Sequence, residues 1–129
     1  MNAKPRSKKP RGNVYSAECP SRGVLEIISS KWVLLIVPLL AKRPIRNNEL
    51  LRLIDGISQK MLTQTLRELE RHGLVERIDH RTVPPHVEYR LTALGHSLNQ
   101  ALEPVDHWAE QNFPRMLAAQ VAFDENPGR

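Results

Sequence analysis

Two groups of residues in this chain have types and spacings that could do chemistry. The first is Cys19–Pro20, which holds the single thiol of the sequence and stands before an apolar run (Val24, Leu25, Ile27, Ile28). Proline suits the first position of a helix, where its missing N–H costs nothing, so Cys19 falls at the N-cap. A thiol there meets unpaired N–H groups and the positive end of the helix dipole, and both stabilise a thiolate. Arg22, one turn later, adds positive charge. The thiolate is the form that quinones and oxidants attack. With one cysteine per chain, oxidation must give an intersubunit disulfide, a mixed disulfide with a small thiol, or an alkylated adduct. Two readings stay open here: a reactive thiol and a small, silent cap.

The second group lies in SQKMLTQTLRELERHG (58–73). Leu62, Leu66 and Leu69 follow helical i, i+4, i+7 spacing and point inward. Gln59, Lys60, Thr63, Gln64, Arg67 and Arg71 lie mainly on the opposite side, with no acid near the N-terminal end. Gln pairs bidentately with adenine, Lys or Arg with guanine, and the Thr methyl meets the methyl of thymine. Glu68 and Glu70 come late, away from where a recognition helix touches bases. Composition alone also allows an ordinary solvated helix face.

The elements that must position these residues can be read around them. Ser30 caps a buried helix, KWVLLIVPLLAK, that Pro38 should kink or end. Asn47 or Asn48 caps the next, with Leu50, Leu51, Leu53 and Ile54 as core and Gly56 as stop. Ser58 caps the helix of the second group, and Gly73 closes it. LVERID (74–79) and HVEYRL (86–91) alternate as strands, joined by a loop with Pro84–Pro85. Helix, turn, helix and hairpin is the order of a winged helix-turn-helix. Arg77, Arg81 and His86 put positive charge on the wing. The chain returns to helix over residues 91–112, where Leu94, Leu98, Leu102, Val105 and Trp108 form an apolar stripe. Pro104 should kink this helix or begin another. Such a stripe asks for a partner, and a second copy is the natural one.

The totals agree with one domain of 129 residues, 40% apolar and 26% charged. The net charge of +5 sits in the first twelve residues, where Lys4, Arg6, Lys8, Lys9 and Arg11 meet no acid. Such an arm cannot fold alone and suits phosphate contact by counterion release. The longest apolar run is ten residues with Pro38 inside, too short for a membrane span, and no secretory leader is visible. These features favour a reducing, cytoplasmic setting. The division expected is a disordered basic arm (1–14), a winged domain with N- and C-terminal dimerisation helices (15–122), and a disordered tail (123–129).

Enzyme and cofactor readings find little support. His72, His80, His86, His96 and His107 show no ligand spacing, so no metal or other cofactor is expected. No phosphate loop or nucleophile elbow is present.

The segments CP (19–20), KWVLLIVPLL, RNNELLRLIDGISQKMLTQTLRELERHGLVER, VPPHVEYRLTALGHSL and VDHW together resemble the HxlR family of bacterial winged-helix transcription regulators. The resemblance spans about residues 19–108. It implies a mainly α fold with a small β-hairpin wing and a homodimer on a pseudo-palindromic operator beside the genes it controls. It also implies, for several members, a response to quinones, aldehydes or hypochlorite through the cysteine of the CP pair, here Cys19. The sequence departs from the family pattern at Asn47, where an aromatic is usual, at His86, where Arg or Lys is usual, and at Pro38. On this reading the DNA-contacting residues are Arg46, Ser58, Gln59, Lys60, Thr63, Gln64, Arg67, Arg77, Arg81 and His86. The rival readings are a regulator with a non-covalent apolar effector, lined by Trp32 and Trp108 with Cys19 silent, and a winged helix used for protein contact.

Overall fold

The structure is a computed structural model that describes residues 11–128 of the chain. Helix α1 (Pro20–Ile28) starts with Cys19 as N-cap and Pro20 at its first position. Helix α2 (Lys31–Lys42) follows, its N-cap Ser30 accepting the Trp32 N–H at 3.2 Å. Strand β1 (Ile45–Arg46) leads directly into α3 (Asn47–Leu53), and α4 spans Gln59–Arg71. Strands β2 (Val75–Asp79) and β3 (Val87–Leu91) form the hairpin, and α5 (Ala93–Glu125) closes the chain. The three strands make one antiparallel sheet in the order β1-β3-β2. This is a winged helix-turn-helix, mainly α with a small sheet.

The core explains the element order. Val33, Ile36, Val37 and Leu40 of α2 are buried, and Leu50, Leu62, Leu66, Leu69, Val75 and Leu91 close around them. Helix α4 is fixed at both ends. Ser58 accepts the Met61 N–H at 3.0 Å. At the other end, Gly73 takes φ +76 while its N–H donates to Glu70 and that of Leu74 to Leu69. That paired arrangement satisfies the last carbonyls and needs a residue free to adopt left-handed φ. The next joint is tight as well. Thr92 caps α5 by accepting the Gly95 N–H at 3.1 Å, and its hydroxyl donates to the Gly73 carbonyl at 2.6 Å. A Cβ on Gly95 would stand 2.1 Å from the Leu74 carbonyl oxygen.

Several sequence expectations are corrected. Pro38 does not end α2, which continues to Lys42, because Ile36, Val37 and Leu40 around it are locked in the core. Pro104 starts no new element, and α5 also carries Pro114. Each proline removes one backbone hydrogen bond, and at the exposed Pro104 the freed carbonyl can face water. Helix α5 is 33 residues long, so it passes both the expected end at 112 and the boundary at 122. Arg46, not an asparagine, occupies the α3 N-cap position. Leu53 is exposed, because α3 ends there and extended Ile54 turns into the core instead.

Most of the basic arm lies outside the described residues. Its last part is not free chain: Asn13 accepts the Ser16 N–H, and the Val14 carbonyl accepts from Arg22. No single described helix is long and apolar enough to cross a membrane; α1 and α2 pass that test only as a pair bent by 77°.

Candidate nucleic-acid interface

Helix α4 presents one polar face. Ser58, Gln59, Lys60, Thr63, Gln64 and Arg67 are all exposed, while Leu62, Thr65, Leu66 and Leu69 are buried beneath them. The buried hydroxyl of Thr65 is satisfied by the Met61 carbonyl at 2.7 Å. On the outer face, the Gln59 amide donates to the Thr63 hydroxyl at 2.9 Å, which ties two candidate base readers together one turn apart. Lys60, Gln64 and Arg67 make no side-chain hydrogen bond or ion pair among the described residues, so their donors point to solvent. Arg71 is drawn toward Glu68 (3.8 Å), which also meets His72 (3.5 Å). The acidic residues therefore neutralise the C-terminal end of α4 and leave its N-terminal half cationic.

The wing adds a second exposed cationic edge. Arg77 is exposed on β2, and Arg81 is exposed at the start of the loop. Arg81 takes φ +56, a left-handed conformation that costs a residue with a side chain roughly 1–2 kcal/mol. Its N–H is held by the Asp79 carboxylate at 2.8 Å, which fixes that turn. Val83, at the tip, is 98% exposed. Arg46 is exposed on β1, opposite Glu88 of β3.

His86 behaves differently from the other wing candidates. Its ring lies 4.2 Å from that of His80, and its Nε2 is 3.5 Å from Glu88. His80 Nε2 is 2.9 Å from the other Glu88 oxygen. The hydrogen bond from His80, and then that from His86, holds the Glu88 carboxyl below the usual range. The histidines are thus not all scattered: strand pairing gathers His80, His86 and Glu88 at the root of the wing.

At the other end of the chain, Cys19 is half-buried. Its Sγ accepts the Asn13 N–H at 3.2 Å and lies 3.1 Å from the Ser21 hydroxyl. The Asn13 N–H, then the Ser21 hydroxyl and N–H, lower the thiol pKa below its ordinary value. Arg22 does not contribute as expected. Its guanidinium is committed to the Val14 and Tyr15 carbonyls, both at 3.1 Å, and so braces the turn that carries the Asn13 donor.

Residues 27–117 match the family model described as HxlR-like helix-turn-helix. The chain belongs to the HxlR family. Among its HxlR-like relatives, the uncharacterized HTH-type transcriptional regulator YtfH of Escherichia coli is 42% identical over 109 residues, covering 84% of this chain and 86% of that protein. A solved structure, the transcriptional regulator ytfH from Salmonella typhimurium, superposes with TM-score 0.80 at 40% identity, covering 85% of this chain and 98% of the other. The redox regulator HypR in its oxidized form superposes with TM-score 0.68 at 38% identity, covering 73% and 97%. The protein is accordingly a transcription regulator of the winged helix-turn-helix type, as these relatives are described.

The HxlR match includes the whole α3–α4–wing unit but begins after Cys19. Two features escaped the sequence reading. The His80–His86–Glu88 cluster was available from the hairpin register, since residues two apart share a strand face. The far half of α5 was hidden by its two prolines. There Phe113, Met116, Leu117 and Val121 are all more than half exposed.

Proposed function

We propose that the protein works as a homodimer on a pseudo-palindromic operator, with residues 58–72 in the major groove and Cys19 as an electrophile-sensing thiol. The observation that carries this reading is the exposed N-terminal half of α4. It offers Gln59, Lys60, Thr63 and Gln64 and no acid, with Arg67 one turn further along the same exposed face, over buried leucines. On this reading Gln59, Lys60, Thr63, Gln64 and Arg67 reach base edges or adjacent phosphates. Ser58, Arg46, Arg77 and Arg81 serve phosphates, with His86 at the edge of that group. The basic arm adds further phosphate contacts.

The dimer is supported by what α1 and α5 leave uncovered. Helix α1 buries no residue in the single chain, and Val24, Leu25, Val105 and Trp108 are exposed. Two-fold pairing of such surfaces presents two α4 helices to one side, and half-sites then lie roughly 34–36 Å apart. The thiol reading is supported by the donors around Cys19 Sγ. The thiolate adds to a ring carbon of a quinone, forming a C–S bond, and the ring oxygen takes up a proton to give the hydroquinone adduct. A relative of similar fold, HypR, is described as a redox regulator, which supports looking for redox chemistry at this thiol.

The test is to sequence DNA retained by the purified protein with and without a quinone. A palindrome with half-sites about ten base pairs apart, lost on quinone treatment, is the expected result. Retention of random DNA, or none at low salt, overturns the DNA reading. Cys19→Ser should bind the same sites and ignore quinone; a variant that still releases DNA removes the thiol from the mechanism.

A second reading rests on one observation. Val24, Ile27, Ile28, Leu74, Leu94 and Leu98, with His72 and Ser97, line an apolar crevice of about 400 Å³ between α1 and α5. It suits a small apolar effector bound without covalent chemistry. Neither Trp32 nor Trp108 lines it, contrary to the expectation from sequence. Effector-induced release of DNA by Cys19→Ser would favour this crevice.

A further inference from the structure

The loop end of the β2–β3 hairpin brings two imidazoles and a carboxylate together. In the β2–β3 register, Ile78 stands opposite Glu88 and Asp79 opposite Val87. One step further, the His80 N–H donates to the His86 carbonyl at 2.9 Å, so the ladder continues past the assigned strands. His86 and Glu88, two apart, therefore share one face, and His80 faces them from the paired strand. One ligand-type atom from each of the three lies within 4.8 Å of the others. The two closest separations to Glu88 are 2.9 Å and 3.5 Å, one to each carboxylate oxygen. Donors 2.0–2.1 Å from a tetrahedral ion stand roughly 3.3 Å apart; the two His–Glu88 separations lie on either side of that value, to different carboxylate oxygens, and the His–His pair lies within 4.8 Å.

We propose that His80, His86 and Glu88 form a binding site for a divalent transition metal of the zinc class. Two nitrogen donors disfavour Mg²⁺ and Ca²⁺, which prefer oxygen cages, and no thiolate is involved. Three protein ligands leave a fourth position for water or an incoming donor. All three side chains are only partly exposed, at 38%, 32% and 26%, so they are accessible yet already ordered by the hairpin. The ion joins the two ends of the loop that carries Arg81 and Val83. It also adds a charge of +2 to a hairpin in which Arg77, Arg81 and Arg90 are balanced by Glu76, Asp79 and Glu88. The site stands on its own geometry and does not depend on how DNA is read.

The test uses the full chain, stripped of metal by a chelator, and Co²⁺ as the probe. Wild type should show the visible absorption of a tetrahedral Co²⁺ site at one ion per chain, displaced by Zn²⁺. His80→Gln and His86→Gln should each weaken Co²⁺ by roughly 10-fold or more, while Cys19→Ser leaves it unchanged. NMR of the wild type provides a readout without substitution: the ring resonances of His80 and His86 should broaden before those of His72, His96 and His107. Absence of the visible band, undiminished binding in His80→Gln/His86→Gln, or loss of binding in Cys19→Ser would each overturn the site.

Discussion

Helix α4, 13 residues long, buries Leu62, Thr65, Leu66 and Leu69 and turns a polar face outward. Helix α5 is 33 residues long yet buries only Gly95 and Leu102, and α1 buries nothing. The same helical patterning has opposite outcomes in the two regions. Around α4, each apolar stripe finds its complement within one chain, in α2, α3 and the sheet. Along α1 and distal α5, Val24, Leu25, Val105, Trp108, Phe113, Met116 and Leu117 face solvent. Exposed apolar side chains in this number, on two helices that bury almost nothing, suit surfaces that a partner covers. The contrast separates a head whose fold is complete from arms that fit the proposed two-fold interface.

That contrast is most easily broken in the head. Leu66 is 1% exposed, so Leu66→Ala should cost about 2–5 kcal/mol by lost transfer energy and a residual cavity. Urea denaturation followed by circular dichroism measures it. A loss below 1 kcal/mol would mean that the head is not the rigid unit described.

The arms should respond in the opposite sense. Phe113→Ser combined with Leu117→Ser removes two exposed apolar side chains, 56% and 53% exposed in one chain. If a second copy covers them, the loss is about 3 kcal/mol, or ~100-fold in dimer affinity. Sedimentation equilibrium should show monomers whose head still melts cooperatively. An unchanged dimer would place the interface elsewhere.

Within the head, the recognition face and the wing should differ from each other. Arg67→Ala should cost ~1–3 kcal/mol on the specific site if it meets a base. Equal loss on random DNA would reassign it to a phosphate. For the wing, Arg81→Gly is a cleaner change than alanine, because glycine accepts φ +56 without strain. It should weaken all sequences alike and lower the salt slope by about one.

The head was also the more legible region in the sequence. Ser58, the leucine spacing of α4, Gly73 and the alternating strands each have a local physical cause, and local causes survive folding. The errors fell where distant packing decides. Pro38 remains inside a helix because its neighbours are core residues, and Pro104 because its face is solvated. Arg22 stands one turn beyond Cys19, where spacing suggests a partner, but the preceding turn offers its guanidinium two carbonyls. The donor that matters most to the thiol, the Asn13 N–H, comes from a segment read as disordered arm. The histidine cluster needed strand register, which hairpin boundaries already contained.

The smallest expected effect lies at the seam between the two regions. Asp106 of α5 borders a crevice of about 580 Å³ shared with Leu35, Pro38, Leu39 and Lys42 of α2. Burial, and then the charges of Glu110 and Glu103, push its carboxyl above the usual range, with His107 opposing. A raised folded-state pKa means that the folded protein holds this proton more tightly than the unfolded chain. The stability linked to it is fully present below the ordinary Asp value of about 3.9 and is lost as pH rises through the raised value. At neutral pH the charged Asp106 is therefore expected to cost stability at this seam. Asp106→Asn should raise the melting temperature at pH 7, and the difference should shrink as pH falls toward that ordinary value. Thermal melts at the two pH values decide it. A gain that does not change with pH would reflect helix propensity or repacking, and the seam would owe nothing to the carboxylate charge.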